Sequence, residues 1–140
     1  MGKFKLSEKS INKLEGVHEA LAETVKLAIT LSVVDFSVIE GLRTIERQKE
    51  LYAQGRTKPG KIVTWTMNSP HLKGHAVDLG AIVNGVLSWD EKWYPLIADA
   101  MLEAAAKLDV KIQWGGTFRD KDGKLRPDSP HYELSNKFYK

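Results

Sequence analysis

The sequence contains no cysteine. That excludes disulfides and any zinc site built on thiolate, so a bound metal would have to be held by His, Asp or Glu. Histidine itself is scarce: His18, His71, His75 and His131 are the only ones. Long apolar runs are also missing. The most apolar stretch, VKLAITLSVVDF, is too short and too interrupted to cross a bilayer, so no stable membrane association is expected. The first residues, MGKFKLSEKS, are charged and lead into no apolar segment, unlike a secretory signal peptide; synthesis in the cytoplasm is the expectation. There is no block of like charge. A net charge of +3, dispersed along the chain, suits solubility and a mild attraction to anionic polymer, and gives no sign of nucleic-acid binding. No internal repeat or low-complexity tract interrupts the 140 residues, which reads as one domain, 1–140, working as a monomer.

What is present is regular. Apolar Leu14, Val17, Leu21, Val25, Ala28 and Ile29 recur at helical spacing, so residues 7–31 read as one helix capped by Ser7, with His18 exposed on it. DFSVIEGL alternates as a strand, with Phe36, Val38 and Glu40 on one face and Ser37 and Ile39 on the other. TIERQKELYAQG predicts a helix from an N-cap at Thr44 to a stop at Gly55. HAVDLGAIV and VLSW flank Asn84-Gly85, a strong hairpin signal. DEKWYPLIADAMLEAAAKLD predicts a second long helix with Pro95 in its first turn. VKIQW and HYEL read as further strands, either side of the polar loop RDKDGKLRPDSP. Hairpin-linked strands flanked by helices indicate an α+β fold with a small, mainly antiparallel sheet.

The stretch SPHLKGHAVDLGA, Ser69 to Ala81, sets two histidines beside an aspartate. Asp78 lies among Ala76, Val77 and Leu79, where a carboxylate is costly unless a cation or several donors meet it. His71 precedes a turn at Gly74 that could fold its ring back to Asp78. His75, three residues from Asp78, falls on the opposite face of a regular strand and reads as a structural or surface residue. Of the remaining histidines, His131 in PDSPHYEL starts an apolar strand. Two His, one carboxylate and an open position form a common catalytic zinc set, although the same set also suits iron. Asp128 and Glu133 flank His131, and either is placed to be a general base or to orient the imidazole. Arg43 reads either as a helix-end salt bridge or as a site residue. Among the tryptophans, Trp89 and Trp114 fall on predicted strands as core residues, and Trp65 is the candidate to line a groove.

SPHLKGHAVDLG resembles the S-x-H-x-x-G-x-A-x-D signature of the zinc D,D-carboxypeptidase and L-alanyl-D-glutamate peptidase family (VanY-like), whose metal-binding fold hedgehog proteins share. EGLRTIERQKELYAQGRTKPGKIVT is similar to its phage endolysin-type subgroup, and PHYEL to the distal His-x-Glu-Leu segment. Together these cover Phe36 to Leu134. The resemblance implies one zinc ion on His71, Asp78 and His131, Asp128 as the catalytic carboxylate, and Arg43, Gln48 and Ser69 as substrate-binding residues. It gives His75 no ligand role. It implies a peptidoglycan hydrolase cutting the stem peptide between L-alanine and D-glutamate, with Arg43 clamping the D-glutamate carboxylate or stabilising the oxyanion. Such enzymes act on the cell wall, in the periplasm, after release through a holin-type pore. The alternatives are a D,D-carboxypeptidase that removes terminal D-alanine and a non-catalytic zinc-binding module of the same fold.

Overall fold

The computed structural model describes residues 4–60 and 69–139. Its helices are α1 (Glu8–Lys13), α2 (Glu19–Leu31), α3 (Ile45–Ala53) and α4 (Tyr94–Leu108). Its strands are β1 (Asp35–Glu40), β2 (Ala76–Val83), β3 (Val86–Ser88), β4 (Ile112–Trp114) and β5 (His131–Leu134). The sheet order is β1-β2-β5-β4, with β3 also paired to β2, and every pairing is antiparallel. This is the expected α+β architecture, and none of the helices among the described residues is long and apolar enough to cross a membrane.

The two faces of the sheet do different work. Phe36 and Val38 of β1, Val77, Leu79 and Ala81 of β2, and Tyr132 and Leu134 of β5 are buried in a core with Leu21 and Val25 of α2 and Ile97 and Met101 of α4. The alternate residues face the other way and include Asp78, His131 and Glu133. Pairing register then sets the neighbours: Asp78 lies directly opposite His131, and Ala76 opposite Glu133. Because side chains alternate strictly, a slip of one residue would send His131 into the core.

Several local signals act as read. Ser7 accepts from Ser10 N–H and caps α1; Thr44 accepts from Arg47 N–H and caps α3. Asn84 and Gly85 both have positive φ, 53° and 77°, as a two-residue hairpin turn of this kind requires. The helix expected over 7–31 is instead two helices. Gly16 turns left-handed at φ 81°, and His18 starts α2 as its N-cap, its Nδ1 accepting from Ala20 N–H. Apolar spacing carries through such a corner, so periodicity alone does not reveal it. Trp89 lies beyond β3, half exposed, with its ring stacked on Tyr94 rather than in the core.

The corner at Gly16 has a purpose in the packing. It brings the α1–α2 junction against Gly74, where a Cβ would stand 2.2 Å from the Gly16 carbonyl oxygen. Gly74 is left-handed at φ 72°, and its carbonyl accepts from His18 N–H at 2.8 Å. The left-handed backbone alone costs an L-residue about 1–2 kcal/mol, before the steric overlap is counted. Gly74→Ala is therefore expected to lower the melting temperature by about 5–10 °C and to weaken metal binding by displacing the turn that carries His71. A melting temperature unchanged on calorimetry would contradict this.

Candidate metal centre

Three separate segments supply the centre. His71 sits on a short 3-10 helix, Pro70–Lys73, which begins where Ser69 Oγ accepts from the His71 N–H. Asp78 comes from β2 and His131 from the start of β5. His71 Nε2 lies 3.4 Å from Asp78 Oδ1, and His131 Nδ1 lies 3.1 Å from the same oxygen. One donor atom from each of the three residues falls within 4.8 Å of the others. A tetrahedral ion with bonds of about 2.0–2.1 Å holds its ligand atoms about 3.3 Å apart, so the triad fits such an ion with little movement.

The outer nitrogens fix which atoms face inward. His71 Nδ1 is 2.8 Å from the Gly41 carbonyl oxygen, which can only accept, so Nδ1 carries a proton and Nε2 is the nitrogen that faces Asp78. His131 Nε2 is 2.7 Å from Glu133 Oε1, which holds the proton there and leaves Nδ1 toward Asp78. Glu133 thus orients the imidazole. Of the two carboxylates flanking His131, it is Asp128 that lines the cleft, with Oδ2 4.0 Å from His131 Nδ1.

Electrostatics follow the same arrangement. Burial alone would raise the pKa of Asp78, but the hydrogen bonds and charge of His131 and His71 hold it well below the usual carboxylate range. Burial opposes charge on His131 too; the Asp78 and Glu133 hydrogen bonds prevail and lift it from 6.5 to about 9 in the metal-free protein. Asp128 is shifted upward, first by burial and then by the charge of Asp78, against the lowering effect of His131, His71 and Arg43.

The other sequence candidates are placed as follows. Arg43 reaches the cleft, its side chain 8% exposed, and is held by Glu40 and Gln48. Gln48 is fully buried, with Oε1 accepting from Arg43 Nη1 at 2.7 Å. Gln48 and Ser69 therefore brace Arg43 and His71. His75 stands outside the triad, with its ring edge-on to His18 at a centroid distance of 5.5 Å. Trp65 lies outside the described residues. Two contributors were not anticipated from the sequence: Glu40, read as facing with the core residues of its strand, and the backbone carbonyl of Gly41. No signal in DFSVIE singles out Glu40, because the strand also begins with charged Asp35.

Comparison with known proteins gives this site a family. The sequence model of the phage L-alanyl-D-glutamate peptidase family matches residues 1–135. This chain belongs to that family. It is 26% identical over 141 residues to the L-alanyl-D-glutamate peptidase of Escherichia phage T5, covering 94% of this chain and 98% of that protein. It is 32% identical over 119 residues to the peptidoglycan L-alanyl-D-glutamate endopeptidase CwlK of Bacillus subtilis (strain 168), covering 81% of this chain and 68% of that protein. The crystal structure of the Serratia marcescens L-Ala D-Glu endopeptidase ChiX superposes with a TM-score of 0.84 at 36% identity, over 98% of this chain and 94% of that one. The vancomycin-resistance D,D-dipeptidase VanXYg shares the fold, with a TM-score of 0.58 at 19% identity over 84% of this chain and 50% of that chain.

The raised His131 pKa gives the centre a defined pH dependence. Its folded value, about 9, exceeds the ordinary 6.5, so in the metal-free protein this stabilisation is complete below pH 6.5 and is lost as pH rises through about 9. A metal must displace the same proton. Apparent metal affinity, followed by calorimetry in a non-chelating buffer, is expected to rise about tenfold per pH unit toward pH 9 and then level off. Affinity that is flat between pH 6.5 and 9 would contradict it.

Proposed function

We propose that this chain is a zinc peptidase that hydrolyses the bond between L-alanine and D-glutamate in the peptidoglycan stem peptide. The observation that carries the reading is the meeting, in one cleft, of a three-residue metal triad with the carboxylate of Asp128, in a chain of a peptidase family whose named relatives act on that bond. His71 Nε2, Asp78 Oδ1 and His131 Nδ1 would hold one zinc ion. When bound, zinc supplies Lewis acidity that polarises a peptide carbonyl and brings the pKa of water to about 7.

The chain's own residues then divide the remaining work. Asp128 accepts a proton from the attacking water and passes it to the departing amine of D-glutamate. Its carboxylate lines the cleft with Oδ2 4.0 Å from His131 Nδ1, within reach of a water at the triad. Arg43 brings a positive charge that stays fixed at any working pH, where negative charge develops on the carbonyl oxygen. Gln48 serves by bracing Arg43, and Ser69 by capping the turn under His71. In this proposal the enzyme works as a monomeric single domain at the cell wall. A purely zinc-binding module would have no use for a carboxylate facing the cleft beside its triad.

The test is mass spectrometry of products from a defined stem peptide. The zinc-loaded protein is expected to release a fragment beginning at D-glutamate, and a chelator to stop it. Free D-alanine with no internal cut would establish the carboxypeptidase reading instead. Asp128→Asn should keep one metal per chain and lose about 10²–10⁴ in rate. Turnover within a few-fold of wild type would move the base role elsewhere.

A further inference from the structure

The charged end of β1 is on the wrong face for a regular strand. Pairing with β2 runs evenly from Asp35 opposite Ile82 to Val38 opposite Leu79, then shifts, so that Glu40 instead of Ile39 opposes Asp78. Without the shift Glu40 would follow Phe36 and Val38 into the core. One inserted residue reverses the alternation and turns Glu40 onto the face of Asp78 and His131. Ile39 is left over in the bulge, and the room for it comes from Gly80, where a Cβ would stand 3.0 Å from Ile39 Cδ1.

From that position Glu40 grips Arg43 side-on. Arg43 Nε donates to Glu40 Oε1 at 2.6 Å and Nη2 to Oε2 at 3.0 Å, while Nη1 donates to the buried Gln48 at 2.7 Å. The side chains of Arg43 and Glu40 are 8% and 27% exposed, so this pair is largely shielded from water. The connector is fastened as well: Arg43 N–H donates to the His71 carbonyl, and the Gly41 carbonyl accepts from His71 Nδ1. A carboxylate already fills the Nε edge of the fork. A second carboxylate arriving with substrate would find that edge taken.

We propose that Glu40 is a positioning residue that fixes the orientation of Arg43 in the cleft, and that Arg43 accordingly serves the charge developing at the cut bond and does not read the free carboxylate of the D-glutamate. The proposal rests on the peptidase reading above and names how one of its residues is set.

The experiment compares wild type, Glu40→Gln, Glu40→Asp, Arg43→Lys and the Glu40→Gln/Arg43→Lys double variant, all zinc-loaded and full length. The first readout needs no activity: the Arg43 Nε–H signal in ¹H–¹⁵N spectra, assigned by its disappearance in Arg43→Lys. It should be sharp and slow to exchange in wild type and shifted or broadened in Glu40→Gln. The second is kinetics on stem peptides with a free or an amidated D-glutamate α-carboxyl group. Glu40→Gln should lower kcat about tenfold, leave KM within about twofold and zinc content unchanged, and do so equally on both peptides. In the Arg43→Lys background it should cost nothing further, because a lysine has no Nε edge to hold. Glu40→Asp keeps the charge on a shorter arm and should show the same pattern; it carries the test if Glu40→Gln does not fold. An unchanged Nε–H signal, a loss confined to the free-carboxyl peptide, a rise in KM alone, or additive losses in the double variant would overturn the proposal. If wild type cuts neither peptide, the peptidase reading fails, while the Nε–H signal still decides whether Glu40 holds Arg43.

Discussion

The structure depends on one largely buried carboxylate. Asp78 lies in the middle of the sheet, between apolar neighbours that face the core, and its oxygen is met by two imidazole nitrogens. A carboxylate so placed is costly unless positive charge meets it. Protonated histidine supplies that charge in the metal-free chain, and a metal ion would supply it better. Each feature that brings the two imidazoles to Asp78 answers the same demand. The β2–β5 register sets His131 directly opposite, and a left-handed glycine returns the chain so that His71 comes back over the strand.

A second ring of contacts turns proximity into a defined candidate ligand set. The Gly41 carbonyl and the Glu133 carboxylate each claim the outer nitrogen of one histidine, so the two rings face inward through different atoms. Those contacts come from β1's end and from β5, which ties the centre to the same sheet that packs against α2 and α4. The close approach of Gly74 to Gly16 carries that rigidity to the helical side. A site held in this way can keep its geometry while a peptide is bound and cut, and that is the main requirement of a catalyst working by placement and charge.

Much of this was legible in the sequence. The triad was legible through the resemblance of SPHLKGHAVDLG and PHYEL to the peptidase family; four histidines, no cysteine and an aspartate amid apolar residues only made His71, Asp78 and His131 candidates. The hairpin at Asn84-Gly85 and the caps at Ser7 and Thr44 were legible because turn and cap chemistry is local. What was hidden depended on contacts distant in sequence. The break at Gly16 preserves the apolar period on both sides, and only the approach of Gly74 explains it. The bulge at Ile39 reverses the face of Glu40, and nothing in DFSVIE announces it; the space that admits it belongs to Gly80, on another strand. Trp89 read as core because it fell on the predicted strand VLSW, yet β3 stops one residue earlier and the ring stacks on Tyr94 while half exposed.

In the proposed centre two histidines bind one metal through different nitrogens, His71 by Nε2 and His131 by Nδ1. Long-range ¹H–¹⁵N correlation of the imidazoles in zinc-loaded protein tests it directly. Zinc is expected to move only these two rings into metal-bound states, with the proton retained on Nδ1 of His71 and on Nε2 of His131. Binding of both through the same type of nitrogen, or a metal shift at His18 or His75, would contradict it.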